Sequence, residues 1–215
     1  GIITAIIGLS EAGETATAIF IDTGATNVGT LINDNTIVAS VASNEGNVVG
    51  VRDLSGTLTT IENRGKIVTS AAAIEPDDPV NVNLIALDLA NAQSGITLTQ
   101  EENADEDVEE EITGDIFLGA FADTVDLNAG TITGDISFGG GADIFNVDGG
   151  AIYEGAISDS GGDLSITVAD GTLNLTGGNA AITSATFGAD STLIVGMSGV
   201  DTDPPVIEAS GTVTF

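Results

Sequence analysis

The sequence contains no cysteine, no histidine and no tryptophan, and only 3 of its 215 residues are lysine or arginine. Without histidine or cysteine it can form neither a Ser-His-Asp triad, nor a Cys-His dyad, nor a histidine metal site. We therefore expect no hydrolysis through a covalent nucleophile, and we expect a protein that is not an enzyme. The lack of cysteine does not indicate a compartment, because stacked repeats are stable without disulfides.

Basic residues are scarce against 33 acidic residues, so the formal net charge is −30. Nucleic acids and anionic membrane surfaces are disfavoured as partners, since binding to phosphate requires Lys and Arg. The charge favours a solvated acidic surface, and attraction of divalent cations is the alternative. Aromatic residues make up only 4% of the chain, so the stacking platforms that usually bind sugars are also scarce.

Two neighbouring stretches of twenty residues repeat one another. Residues 112–131 and 132–151 are identical at nine of twenty positions without a gap, and five of the shared residues are Gly or Asp. A tandem period near twenty is typical of a solenoid, in which each repeat forms one turn and stacks on the next. Three short apolar clusters per unit, separated by Gly or Gly-Asp, predict an all-β fold. The expected architecture is a right-handed parallel β-helix with three sides and turns of about 20 residues.

The rest of the chain continues the pattern less regularly, and we expect a single continuous domain. Residues 1–111 carry loose repeats of about thirty residues, 112–172 carry the tight repeats, and 173–215 form the last turns. The third tight unit has one extra residue, so a shift of 21 is expected to place Ile157 over Ile136.

Two segments interrupt the repeats and are predicted to be surface loops. Residues 72–80 contain two prolines, which favour a loop. Residues 101–111 hold eight carboxylates in eleven positions, and their mutual repulsion predicts an extruded loop.

Two local patterns predict which side chains face inward. In the strand-like run that begins at Leu84, alternation places one set of side chains on one face and the other set on the opposite face: Ile85, Leu87 and Leu89 against Ala86 and Asp88. Three corner asparagines are expected to hydrogen-bond from rung to rung inside the stack: Asn33, Asn35 and Asn63.

Four aspartates recur with the tight repeat. Asp115 and Asp135 lie twenty residues apart, as do Asp123 and Asp143, so each pair is expected to stack one rung apart. Two carboxylates about 4.8 Å apart repel by roughly 1 kcal/mol in water. Either each Asp accepts N–H bonds at its own corner, or the four bind calcium, the one cofactor this sequence suggests. Residues 139–145, GGGADIF, support calcium, because they fit the G-x-G-x-D-x-U core of calcium-binding nonapeptide solenoids.

The C-terminal third resembles a known family. The segment Gly155–Gly178, GAISDSGGDLSITVADGTLNLTGG, followed by STLIVGMSG and PPVIEASGTVTF, is similar to the C-terminal passenger region of autotransporters, the type V secreted proteins of Gram-negative bacteria. The I-x-N-x-G-x-I pattern at Ile61–Ile67 also resembles passenger repeats. The resemblance implies a β-helix exported through a C-terminal outer-membrane barrel and then exposed on, or released from, the cell surface. Because the chain begins at Gly1 and stops at Phe215, we expect that a leader and the barrel lie outside it.

The resemblance is a guide to architecture more than to activity, because one scaffold carries many functions. We expect a structural scaffold or adhesin that binds a ligand on a host or neighbouring cell. A self-assembling extracellular filament subunit is the alternative, because open solenoid ends present strand edges. A polysaccharide-active β-helix enzyme is the third possibility, and its catalytic base would be one of the three basic residues, Arg52, Arg64 and Lys66.

Overall fold

The computed structural model describes residues 2–7, 15–42, 45–72, 81–161, 163–175, 180–195, 207–209 and 211–215. The predicted loop at 72–80 lies outside these residues except for Ala72. Within the described ranges the chain contains strands and turns but no helix, which confirms the all-β class. Those ranges accordingly offer no helical segment of the length and hydrophobicity that a membrane crossing demands.

The strands are short, because Gly and Asp corners end most of them after a few residues. They run in chain order as follows: β1 Ile2–Ile7, β2 Thr15–Ile21, β3 Gly29–Asn33, β4 Thr36–Ala42, β5 Glu45–Asp53, β6 Leu58–Asn63, β7 Lys66–Ala72, β8 Asn81–Asp88, β9 Thr97–Gln100, β10 Glu111–Thr113, β11 Asp115–Phe117, β12 Thr124–Leu127, β13 Thr131–Thr133, β14 Ile136–Ser137, β15 Ile144–Val147, β16 Ala151–Glu154, β17 Ile157–Ser158, β18 Ser165–Asn174, β19 Ala180–Ile182, β20 Ser184–Ile194, β21 Ile207–Ala209 and β22 Val213–Thr214.

From β1 to β15, each strand pairs in parallel with the strand three places further along the chain, as β1 does with β4 and β4 with β7. This pairing gives three columns of parallel strands. The first column runs β1-β4-β7-β10-β13-β16, the second runs β2-β5-β8-β11-β14-β17-β19-β21, and the third runs β3-β6-β9-β12-β15. The long strand β18 pairs with β15 through its first half and with β16 through its second half, so the first and third columns join in one fourteen-stranded sheet. The described strands therefore form a parallel, solenoid-like stack.

The pairing registers follow the sequence repeats. In the tight region Ile112 pairs with Ile132 and Ile116 with Ile136, a shift of twenty in two different columns. The next rung shifts by 21, as the extra residue predicts, and Ile157 lies beside Ile136. The apolar side chains consequently form buried ladders inside the stack, for example in the third column and in β18 and β20, which continue it: Ile61, Leu98, Val125, Phe145, Ile166 and Ala185.

The predicted alternation in β8 is wrong at Ala86. This residue is fully buried, as Leu87 is, whereas Ile85 is only half-buried. The register explains the difference, because the consecutive residues Asp115 and Ile116 of β11 pair with Ile85 and Leu87, which leaves Ala86 as an extra residue between them. Ala86 is therefore a bulge that turns the strand at a corner. Opposite it lies Gly50, where a Cβ would come within 2.6 Å of the Ala86 carbonyl oxygen.

The corner amides form the predicted ladder, with one member different from expectation. Asn33 Nδ2 donates to Asn63 Oδ1 at 2.7 Å, and Asn63 Nδ2 donates to Gln100 Oε1 at 3.0 Å. Gln100 Nε2 continues to the carbonyl oxygen of Ala129 at 2.9 Å. Asn35 takes part through its main chain, whose N–H donates to Asn33 Oδ1. The prediction of a side-chain role for Asn35 was therefore wrong, because the equivalent corner position on the next rung is Gly65, which has no side chain to bond.

Three aromatic rings fill the middle of the core. Phe145 packs edge-on against Tyr153, with ring centroids 5.2 Å apart, and Phe138 lies 6.0 Å from Phe145. The buried Tyr153 hydroxyl donates to the carbonyl oxygens of Ala156, at 2.6 Å, and Gly134, at 3.1 Å. The Tyr153 hydroxyl group therefore links two successive rungs by hydrogen bonds.

We expect Tyr153→Phe to lower the free energy of unfolding by about 1–2 kcal/mol, because both carbonyl groups lose a buried donor while the ring packing remains. Equilibrium urea unfolding of the two proteins measures the difference. Ile152→Val is the control, since Ile152 is an exposed neighbour on the same strand; an equal loss in both variants would contradict the bonding role of the hydroxyl.

Candidate functional site

Asp123 and Asp143 occupy the same position on consecutive rungs. Each precedes a strand of the third column, and the residues that follow them, Thr124 and Ile144, are register partners. Asp143 Oδ1 accepts the N–H of Asp123 at 2.7 Å, and Asp123 Oδ1 accepts the N–H of Ile96 at 2.6 Å. Each carboxylate thus caps the main chain of the preceding rung.

The second oxygen of each carboxylate has no such role. Asp123 and Asp143 are each 1% exposed, and their Oδ2 atoms are the buried side-chain polar atoms without a hydrogen-bond partner in the described part of the chain. Buried polar groups are nearly always paired, and an unpaired carboxylate oxygen costs more than a neutral one. Burial of these two oxygen atoms without a partner therefore lowers the stability of the stack.

The pKa values of both groups respond to this setting. Burial raises the pKa of Asp123 to about 6, and the negative charge of Asp143 adds to the rise, while the N–H groups of Ile96 and Gly119 offset part of it. Burial also raises the pKa of Asp143 above its ordinary value, and the charges of Asp159 and Asp163 on the next rung add to the effect.

Leu164 shows where the aspartate column ends. It precedes Ser165, the register partner of Ile144, so it occupies the position of Asp143 one rung further along. The extra residue of the third unit thus moves Asp163 out of the column, as the sequence predicts. On the other side the equivalent position is Ile96, since Thr97 pairs with Thr124. The two carboxylates therefore lie between two buried apolar residues.

Two other buried aspartates, which the sequence analysis did not identify, are fully bonded. Asp159 accepts N–H bonds on both oxygens, including 2.7 Å from Asp163 to Oδ2. Asp53 accepts three bonds on Oδ1, from the N–H and hydroxyl of Ser55 and the N–H of Gly56, and one on Oδ2 from Leu58. An Asp two residues before a Ser or Gly in a turn is the signal that could have revealed them.

The structure separates the predicted quartet into two pairs. Asp115 begins a strand of the second column, whereas Asp123 precedes one of the third. Asp115 Oδ1 accepts the N–H of Asp135 at 3.0 Å, and Asp135 Oδ1 accepts the N–H of Ala156 at 2.8 Å. Burial raises the pKa of Asp115, although Asp135 itself is exposed. Across the described ranges, no three acidic side chains converge as a ready-made metal cage.

We expect the chelator-treated protein to become more stable as the pH falls from about 7 to about 5. The folded pKa of Asp123, about 6, lies above its ordinary value of 3.8. The folded chain therefore takes up this proton before the unfolded chain does. The resulting stabilisation appears as the pH falls through about 6 and is lost as the pH rises.

Asp123→Asn removes this titration and is the matched variant. Melting temperatures of both proteins, measured at several pH values across that window, separate it from the protonation of surface carboxylates. The gain on acidification is expected to be larger in the unmodified protein, and parallel profiles would count against a raised pKa at Asp123.

The second candidate region is the acidic loop, residues 101–111, which Arg64 and Lys66 hold to the stack. Arg64 pairs with Glu101 at 2.8 Å and also with Asp34 and Glu62. Lys66 Nζ lies 2.9 Å from Glu109 and 3.5 Å from Glu111, at the other end of the loop. Most residues of the loop are exposed, and both of its ends are tethered by ion pairs.

The three basic residues are all engaged by carboxylates, because Arg52 Nε also lies 2.8 Å from Asp88. Hydrogen bonds to Asp34, then Glu62 and Glu101, raise the pKa of Arg64. The hydrogen bond to Glu109 raises the pKa of Lys66. Arg64 and Lys66 are thus held as cations, which is the opposite of what a general base requires.

A cavity of about 610 Å³ lies between the acidic loop and the corner at Gly130 and Thr131. Five glutamates line it: Glu102, Glu106, Glu109, Glu110 and Glu111. Asn103 shapes its wall, since its N–H donates to Glu110 Oε1 at 2.7 Å and its side chain donates to the Arg64 carbonyl oxygen. The region is a concave acidic surface on the side of the stack.

Comparisons with protein-family models, with curated proteins and with solved structures find no match for this chain.

Proposed function

We propose that this chain is a structural scaffold that presents adhesive surfaces at or beyond the cell surface. The observation that carries the proposal is the tethered acidic loop, residues 101–111. The stack commits two of its three basic residues, Arg64 and Lys66, to holding this loop in a defined concave shape. Such an arrangement supports recognition of a partner with a basic surface, through charge complementarity.

The architecture that we propose for the scaffold is a right-handed, three-sided parallel β-helix with turns of about twenty residues in its tight region. It is supported by the order in which the chain visits the three columns, which is the same on every turn from β1 to β18. Parallel crossover connections are right-handed in about 98% of cases. An experimental structure with a left-handed path would refute this part of the proposal.

We further propose that the chain is a passenger segment of an autotransporter, exposed on the outer surface of a Gram-negative cell or released from it. The proposal rests on the resemblance of Gly155–Gly178 and Ile61–Ile67 to passenger repeats. Antibody labelling of intact cells that express the native gene tests it, with a periplasmic protein as the negative control. Labelling that requires permeabilised cells would overturn it.

Adhesion is tested with fluorescently labelled chain added to intact bacterial and mammalian cells. We expect the variant Glu102→Gln, Glu106→Gln, Glu110→Gln to bind fewer cells than the unmodified chain. These three carboxylates line the cavity but form none of the ion pairs with Arg64 and Lys66.

The control variant removes the same charge elsewhere, at the exposed residues Asp22, Asp170 and Asp190. It is expected to bind as the unmodified chain does. Equal binding by both variants, or no binding to either cell type by the unmodified chain, would contradict an adhesive role for the loop.

Self-assembly is the second candidate, and the outermost strands favour it. In the described part of the chain, β1, β2 and β3 each pair with a strand on one side only, as do β21 and β22. Such edges are templates for pairing with another copy. Electron microscopy and light scattering distinguish the candidates: rods longer than one chain favour a filament, and a strict monomer favours the adhesive scaffold.

A further inference from the structure

We propose that Asp123 and Asp143 bind one divalent cation of the size of calcium between two consecutive rungs. Both side chains are 1% exposed, and the Oδ2 atom of each lacks a hydrogen-bond partner among the described residues. The same fold satisfies both oxygens of the buried carboxylates of Asp53 and Asp159. The two Oδ2 atoms are therefore exceptions, and they belong to residues in the same position on consecutive rungs.

The spacing of the rungs suits this ion. Equivalent atoms on neighbouring parallel strands lie about 4.8 Å apart. An ion that takes one oxygen from each rung at about 2.4 Å, the usual calcium–oxygen distance, fits a gap of that size. Magnesium binds oxygen at about 2.1 Å, so it would require the rungs to approach to about 4.2 Å.

The charge of the pair also favours a divalent ion. Two ionised carboxylates on adjacent rungs carry two negative charges. The three basic side chains of the protein do not neutralise them, because Arg52, Arg64 and Lys66 form ion pairs with other carboxylates. The apolar residues Ile96 and Leu164 occupy the equivalent positions on the flanking rungs, so the column provides for one ion and not for a row.

The expected affinity is modest. With two carboxylates as its protein side-chain ligands, the ion completes its shell with water or main-chain carbonyl oxygens. Calcium sites with few charged ligands, such as those of extracellular modules, have dissociation constants of about 0.1–1 mM. This range suits a protein outside the cell, although the site does not depend on the adhesive function proposed above.

The test is thermal unfolding of chelator-treated protein at neutral pH with sodium chloride at constant ionic strength. Calcium at about ten times the expected dissociation constant should raise the melting temperature of the unmodified protein by about 3–6 °C. Asp143→Asn should lose this rise. Asp135→Asn is the matched control, because it removes one carboxylate of the other stacked pair, and it should keep the rise.

Each result bears on the proposal. Equal rises in the unmodified protein and in Asp143→Asn would mean that calcium only screens the acidic surface, and would overturn the site. Magnesium that acts as strongly as calcium, or no rise at all, would do the same. If Asp143→Asn does not fold, Asp123→Asn replaces it, and calorimetry of the unmodified protein must give one calcium per chain.

Discussion

Gly139→Ala is expected to lower the free energy of unfolding by about 2–5 kcal/mol. Gly139 has φ +77°, and a Cβ there would lie 1.8 Å from the carbonyl oxygen of Gly119 on the preceding rung. A non-glycine residue in this conformation costs about 1–2 kcal/mol. Forcing the rungs apart adds an overpacking cost of about 1–3 kcal/mol. It also weakens the bond from the Gly140 N–H to Gly119.

Gly150→Ala isolates the conformational part of that cost. Gly150 has nearly the same φ, +74°, but a Cβ there would meet no other described atom within 4 Å. We expect this variant to lose only the conformational part, about 1–2 kcal/mol. Equilibrium urea unfolding of both variants measures the difference. Equal losses of unfolding free energy in the two variants would contradict the prediction, because they would show that contact with the preceding rung adds no cost at Gly139.

The sequence repeat predicts much of the fold, because each rung has its corners and its buried apolar residues at equivalent positions. Residues 112–131 and 132–151 share their corners, so the parallel register follows from the sequence once Ile112 is placed beside Ile132. The shift of 21 is also predictable, since one inserted residue can only move the next rung. The strand register in the tight repeats can therefore be predicted from the sequence alone.

What the sequence does not predict depends on contacts between segments that are far apart. The bulge at Ala86 arises where Gly50 of the neighbouring rung lets the backbone come close. The hydrophobic periodicity of β8 alone cannot predict the bulge, because it contains no information about Gly50. The tethering of the acidic loop likewise depends on Arg64, thirty-seven residues before Glu101. Repulsion within 101–111 predicts an extruded loop only if no cation of the stack reaches it.

The candidate site was predictable in part. The spacing of twenty correctly stacks Asp123 on Asp143, but it gives the same weight to Asp115 and Asp135. The distinction between the pairs is burial, which depends on the side of the strand that faces the core. The apolar limits at Ile96 and Leu164 become visible only with the register of the whole third column.

The second large effect is expected at the amide ladder, where Asn63→Leu should lower the free energy of unfolding by about 2–4 kcal/mol. Asn63 is fully buried, and leucine has a similar size, so the change removes hydrogen bonds more than volume. Gln100 Oε1 would lose its donor, and Asn33 Nδ2 would lose its shortest hydrogen bond, the one of 2.7 Å that it donates to Asn63 Oδ1. Each buried polar group left without a partner costs about 1–3 kcal/mol.

Asn146→Leu is the control for that prediction, because Asn146 also bonds from rung to rung. Its Nδ2 donates to Asp126 Oδ1 at 2.8 Å, but this pair lies on the outer face and is half-exposed. Water can replace the lost partner there, so we expect a loss within about 0.5 kcal/mol. The comparison by urea unfolding decides whether the ladder stabilises the stack because it is buried. A loss at Asn63 as small as that at Asn146 would mean that water enters the corner and that the inner amides are dispensable.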